Sequence, residues 1–109
     1  MDSIVLRLFQ SEVEKQSEFA LISATNISNT LERLKEENSN TQLWFFVQSF
    51  LISTANVSKL LWGSKDTIEN RESLRKSLDI NEDAFFKIRK LRNHFEHFDE
   101  RLETWASSS

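Results

Sequence analysis

Apolar residues recur at helical spacing through the first third of the chain. Between residues 20 and 34 they alternate steps of four and three and so share one stripe of a helix: Ala20, Ala24, Ile27, Leu31 and Leu34. Val5, Phe9 and Val13 continue this stripe upstream. We predict a first helix over about residues 3–37 with this stripe facing the core, and the polar residues 14–18 leave a break within it open.

Residues 41–62 form the most apolar segment and predict the central helix of the core. Their apolar positions follow a helical pattern: Leu43, Phe46, Val47, Phe50, Leu51, Val57, Leu61 and Trp62. Ser39 or Asn40 in the preceding polar turn is suited to cap this helix, and Gly63 directly after it is the expected C-terminal stop.

Two further helices are indicated downstream. Asp66 and Glu69 have the spacing of a capping box, which opens a shorter helix to about Leu78. Polar residues 81–83 cap a final helix over about residues 82–105, whose apolar side chains repeat by three and four: Ile88, Leu91, Phe95, Phe98, Leu102 and Trp105. Because the connections are short, we predict an all-α fold, a four-helix up-and-down bundle formed by residues 1–105 as a single domain, with residues 106–109 as a tail.

The composition agrees with a helical, intracellular protein. A chain of 109 residues with one Gly and no Pro has few helix breakers, and nine Phe with three Trp can fill one core. The absence of Cys excludes disulfides and thiolate metal sites and fits a reducing compartment. No signal peptide is evident, and the apolar run of residues 43–52 is too short to cross a bilayer. We expect a cytoplasmic protein with no membrane partner.

Charge and glycine content exclude several function classes. A net charge of −3 argues against a broad basic face for nucleic acid, although it leaves open an enzyme that holds one phosphate locally. A single Gly excludes a glycine-rich phosphate loop. We interpret the acidic cluster of the last helix as a solvated face rather than a metal site, and we predict no metal and no cofactor; its members are Glu96, Asp99, Glu100 and Glu103.

The most specific chemistry lies in the last predicted helix. Arg92 is followed by Asn93 and, five residues on, by His97. Arginine binds phosphate as a permanent cation and histidine titrates near neutral pH, so together they suit metal-free phosphodiester chemistry. At 100° per residue, Asn93 and His97 lie one turn apart on the face opposite the core, whereas His94 leans inward. Arg89 and His94 are also five apart, but only the Arg92 pairing has Asn after the arginine and an outward histidine.

This Arg-Asn-x-x-x-His pattern, late in an all-helical domain, resembles the signature of the HEPN superfamily, many of whose members are ribonucleases. The resemblance implies a metal-independent endoribonuclease of the toxin or defence type, in which two subunits bring Arg92, Asn93 and His97 into one shared cleft. RNA is then the expected substrate, and an antitoxin or a fused domain is a further candidate partner. His97 would act as general acid or base, Arg92 would neutralise charge on the phosphate, and Asn93 would bind phosphate or orient His97.

Two other interpretations remain open. The chain can be a catalytically inactive HEPN-like helical module that binds a protein partner or a nucleotide. At the level of single residues, His97 can be a solvated side chain paired locally with Glu96, Asn93 or Arg101, and His94 a half-buried aromatic at the edge of the core.

Overall fold

The computed structural model describes residues 1–33, 40–81, 83, 87, 90 and 97–108, without the side chains of residues 98, 101, 102, 105 and 108. Of these described residues 84% are helical, and none forms a strand. The elements are α1 (Ser3–Arg33), α2 (Thr41–Trp62), a 3-10 turn (Glu69–Arg71), α3 (Glu72–Ser77) and α4 (Phe98–Ser108). The predicted all-α class is confirmed, and the arrangement as a four-helix bundle stays a prediction. None of the helices in the described ranges combines the length and the apolar character needed to cross a membrane.

Helix α1 is a single long rod. Asp2 caps its first turn, because the Asp2 Oδ1 atom accepts a hydrogen bond of 2.9 Å from the backbone N–H of Val5. The helix then continues through the polar residues 14–18 without a break. Its predicted last turn, residues 34–37, lies outside the described residues.

Helices α1 and α2 form an antiparallel hairpin, since Val13 packs with Leu61 while Gln16 reaches Asn56 further along. The predicted apolar stripe of α1 is only partly right. Ala20 and Ile27 are half-buried, but Ala24 and Leu31 are exposed. The polar residues Ser23 and Thr30 are buried in their place.

The buried face has shifted to small residues on both helices. Ser23 and Thr30 occupy the α1 side of the interface, and Ser53, Ala55 and Ser58 are the buried small residues of α2. Small side chains allow neighbouring helix backbones to come near each other, and the Thr30 hydroxyl satisfies itself by donating to the Asn26 carbonyl at 2.6 Å. The spacing of the apolar residues therefore predicted the helix correctly. Its buried face contains small polar residues that the apolar spacing did not indicate.

Helix α2 has the predicted bounds, and Gly63 ends it as expected. Gly63 has φ 64° and ψ −137°, a conformation that side chains disfavour, and its N–H donates to the Lys59 carbonyl at 2.9 Å. A Cβ atom at this position would collide with Thr67 Oγ1. At the other end, Asn40 makes no capping hydrogen bond through its side chain, so that predicted cap is wrong; Ser39 lies outside the described residues.

The core sits where α3 and the 3-10 turn close one end of the hairpin. Four buried residues form its centre, namely Val13, Leu61, Trp62 and Leu74. Half-buried apolar residues pack around them: Leu6, Phe9, Val57, Leu60, Ile68, Leu78 and Ile80. The large hydrophobic side chains of three separate segments meet here, which makes this end the best-packed part of the described chain.

Two arginines, one in the 3-10 turn and one in α3, bind carbonyls in the last turn of α2. Arg71 Nη1 donates to the carbonyls of Lys59 at 3.1 Å and Leu60 at 2.7 Å, and its guanidinium lies 4.4 Å from the centre of the Phe9 ring. Arg75 Nη1 donates to the Leu61 carbonyl at 2.8 Å. The last carbonyls of a helix lack partners within the helix and carry partial negative charge, so cations stabilise this end.

The third helix begins differently from the prediction. The predicted capping box at Asp66 is wrong, because neither the 3-10 turn nor α3 begins with a side-chain capping hydrogen bond. In the preceding turn the Ser64 N–H donates to Thr67 Oγ1 at 2.9 Å. The helix ends at Ser77, and Asp79 then adopts φ 55°, with the Ile80 N–H donating to the Arg75 carbonyl at 3.0 Å. This left-handed C-terminal motif returns Ile80 to the core.

Candidate functional site

His97 is the one predicted site residue that falls among the described residues. It occupies a turn directly before α4, whereas the sequence predicted it inside a continuous helix over residues 82–105. That prediction is wrong at this position, because α4 starts at Phe98 and runs on to Ser108. Arg92 and Asn93, and also His94, lie outside the described residues.

The His97 ring is held by a carboxylate of the following helix. Its Nδ1 atom lies 3.1 Å from Glu100 Oε2, and the two side chains are 54% and 68% exposed. When the Glu100 carboxylate accepts the hydrogen bond in this pair, the Nδ1 atom is the donor and carries the hydrogen. The other ring nitrogen, Nε2, is then the basic atom of the neutral ring.

Glu100 is a functional candidate that the sequence interpretation placed elsewhere. It was assigned to a solvated acidic face, and the local partners expected for His97 were Glu96, Asn93 and Arg101. A signal for the observed partner exists, since residues three apart at a helix start have the spacing of a capping box. The capping-box spacing did not indicate Glu100, because the sequence placed His97 in mid-helix with Asn93 as its neighbour.

The acidic start of α4 also favours this arrangement. Asp99 and Glu100 lie in the first turn, where the helix dipole stabilises negative charge. Within the described ranges, no group of three or more His, Cys, Asp or Glu side chains is arranged to hold a metal ion. The described residues of this site therefore provide an exposed imidazole next to one carboxylate. Such a pair suits the transfer of a proton to or from a bound molecule.

A groove between α1 and α2 differs in character from the His97–Glu100 pair. It has a volume of about 450 Å³ and is lined by Gln16, Phe19, Ile22, Ser23, Ser49, Ile52, Ser53 and Asn56. At one end the Asn56 Nδ2 atom donates to Gln16 Oε1 at 3.2 Å. The groove lining contains no titratable side chain, so it offers no acid or base, and His97 remains the best candidate for chemistry.

In comparisons with known proteins, no protein-family model, no curated protein and no solved structure matches the chain.

Proposed function

We propose that the protein is a metal-independent endoribonuclease of the HEPN toxin or defence type. In this proposal the chain folds as a four-helix bundle and acts as a homodimer, in which Arg92, Asn93 and His97 of both copies line one cleft. The observation that supports it best is the exposed His97 ring, whose Nδ1 atom lies 3.1 Å from Glu100 Oε2, so that Nε2 is left open toward a bound molecule. The Arg-Asn-x-x-x-His pattern supplies the phosphate-binding groups.

The proposed reaction needs only protein groups and the RNA itself. His97 Nε2 takes the proton of a ribose 2′-hydroxyl, and the 2′-oxygen forms a bond to the adjacent phosphorus. The bond from phosphorus to the 5′-oxygen then breaks, and that oxygen receives a proton from the imidazolium of the second copy of His97 in the dimer. Arg92 offsets the negative charge that builds on the phosphate oxygens. The products are a 2′,3′-cyclic phosphate and a 5′-hydroxyl.

The dimer is part of the proposal for a physical reason. A lone pair of side chains on a helix surface is poorly shielded from water, which weakens its interaction with a phosphate. Two copies related by a two-fold axis would supply a second arginine and a second histidine to the same cleft. We expect light scattering to give the mass of a dimer at tens of micromolar, roughly where weak interfaces are still occupied. A monomer under these conditions would contradict the shared site.

The deciding experiment is cleavage of a structured RNA with excess chelator and no added metal. We expect products that end in 2′,3′-cyclic phosphate, and we expect His97→Ala to lower the rate by a factor on the order of 10² to 10⁴. Arg92→Ala should lower it likewise. His94→Ala, the matched histidine control, should lower thermal stability and spare some activity. Circular dichroism checks that each variant is folded. If the parent cuts nothing, or if His97→Ala cuts as fast as the parent, the nuclease proposal fails.

A second candidate function is a catalytically inactive helical module that binds a protein partner or a nucleotide. The observation that favours it is the exposure of large apolar side chains on the α1–α2 hairpin, with Trp44 62% and Phe45 66% exposed. Large apolar side chains that are exposed to this degree are candidates for contact with a partner. Absence of RNA cleavage by a folded parent protein would favour this function over the first.

A further inference from the structure

We infer that Glu100 is the positioning residue of His97, and that it sets which ring nitrogen exchanges protons with a bound molecule. The inference rests on the proposed function only for its catalytic consequence. The hydrogen bond itself joins His97 Nδ1 to Glu100 Oε2 at 3.1 Å. A side chain that acts through the histidine in this way touches neither the phosphate nor the ribose.

The placement of Glu100 follows from the start of α4. His97 directly precedes the helix, and Glu100 is the third residue of the first turn. In a capping box the acidic side chain at this position reaches back to the residue before the helix. Here the carboxylate reaches the imidazole ring of that residue. Because Glu100 lies on the helix and His97 on the preceding turn, the regular backbone of α4 sets the point from which the Glu100 side chain reaches the ring.

The exposure of the pair decides what kind of effect to expect. With 54% of His97 and 68% of Glu100 exposed, the interaction contributes little to folding. Its influence is on the ring, since the hydrogen bond at one nitrogen determines the protonation of the other. A carboxylate that holds Nδ1–H leaves Nε2 as the atom that exchanges a proton with a bound molecule. The role is therefore to select a tautomer and an orientation.

The first arm of the test reads the tautomer directly and needs no RNA. Long-range ¹H–¹⁵N correlation spectra of the neutral His97 ring, assigned by comparison with His97→Gln, should show hydrogen on Nδ1 in the parent protein. Glu100→Ala should shift the ring toward the form with hydrogen on Nε2. Glu103→Ala is the matched control, because Glu103 is another exposed glutamate of the same helix, and it should leave the spectrum unchanged. A parent ring with hydrogen mainly on Nε2, or no change in Glu100→Ala, overturns the inference.

The second arm measures cleavage and separates the inference from the proposed function. Carboxylates that orient a histidine contribute on the order of 10- to 100-fold in metal sites, and we expect about a tenfold loss of rate for Glu100→Ala at this exposed pair. Glu100→Gln keeps an acceptor oxygen, so it should retain the parent tautomer and lose less activity. If Glu100→Ala cuts RNA at the parent rate, the positioning role is wrong although the nuclease stands. If the parent cuts no RNA, the nuclease is wrong and the spectra alone decide on Glu100.

Discussion

The two ends of the α1–α2 hairpin differ in how many of their large apolar side chains are buried. At the closed end, defined here as residues 5–13 and 57–62 together with α3, the large side chains of Leu61, Trp62 and Leu74 are buried. At the open end, defined as residues 19–33 and 41–53, the buried positions are Ser23, Thr30 and Ser53, and large apolar side chains are exposed: Phe19, Leu21, Ile22, Leu31, Trp44, Phe45 and Ile52.

The difference shows what a third element does for a helical hairpin. Two helices in contact bury one stripe each, and small residues in that stripe let the backbones approach. Large side chains that flank the contact stripe of the two helices are buried only when another segment covers them. At the closed end α3 covers them through Leu74. Burial of apolar area is the main source of folding free energy, at roughly 25 cal/mol per Å². Most of the stabilisation among the described residues should therefore come from the closed end.

The largest test of this comparison is Leu74→Ala against Leu21→Ala. Leu74 is 0% exposed at the closed end and Leu21 is 69% exposed at the open end. We expect Leu74→Ala to lower the free energy of unfolding by about 2–5 kcal/mol, since it removes buried methyl groups and leaves a cavity. Leu21→Ala should change it by less than about 0.5 kcal/mol. Urea unfolding followed by circular dichroism measures both, and equal losses would contradict the division into two ends.

A smaller loss is expected at the turn that directs the chain from α2 toward α3. Gly63→Ala places a Cβ atom against Thr67 and on a backbone with φ 64°, which should cost about 1–3 kcal/mol. Lys65→Ala is the matched control, because Lys65 is an exposed residue of the same turn. The same unfolding experiment applies. A Gly63→Ala protein as stable as the parent would show that the closed end does not depend on this turn.

The smallest expected change in stability concerns polar contacts in the middle of α1 and depends on pH. Hydrogen bonds from Lys15, foremost, and from Gln16 hold the pKa of the Glu12 carboxyl below its usual value of 4.5. A carboxyl whose pKa is lowered in the folded state adds stability above its unfolded pKa, and loses it as the pH falls through the folded value. Glu12→Gln should therefore be slightly less stable than the parent at neutral pH and equal to it in acid.

The control for this prediction is Glu14→Gln, which neutralises an exposed glutamate on the same helix. Its stability relative to the parent should not follow the same pH profile. A difference between Glu12→Gln and the parent that persists in acid would show that the glutamine disturbs packing, and that the carboxylate itself contributes nothing.

The sequence predicted those parts of the fold that depend on local signals. Helical spacing and a glycine are local, so the bounds of α2 and the stop at Gly63 are confirmed. The buried face of α1 was misplaced at Ala24 and Leu31, because which stripe is buried depends on how closely α2 approaches. The hydrogen bonds from Arg71 and Arg75 to α2 join residues up to 14 positions apart, and the spacing of residues along the chain does not predict them.

The candidate site was predictable to a smaller extent. His97 was selected because the chain has two histidines and only one follows the Arg-Asn pair at the right distance. Its position before α4 was missed, since the apolar repeat runs through it without interruption. Glu100 was missed as a consequence, because a partner three residues ahead matters most when the histidine precedes a helix. Arg92 and Asn93 remain predictions from the motif.

The arginine contacts at the end of α2 also bear on the order of folding. Arg71 and Arg75 reach carbonyls that lie 7 to 14 residues earlier in the chain, whereas the contact of Arg71 with Phe9 spans more than half of it. Loops of about ten residues close in roughly 10–100 ns, and contacts that are near in sequence cost less chain entropy to form. We therefore expect the end of α2 and α3 to associate first, so that α1 docks afterwards onto a surface that is already assembled.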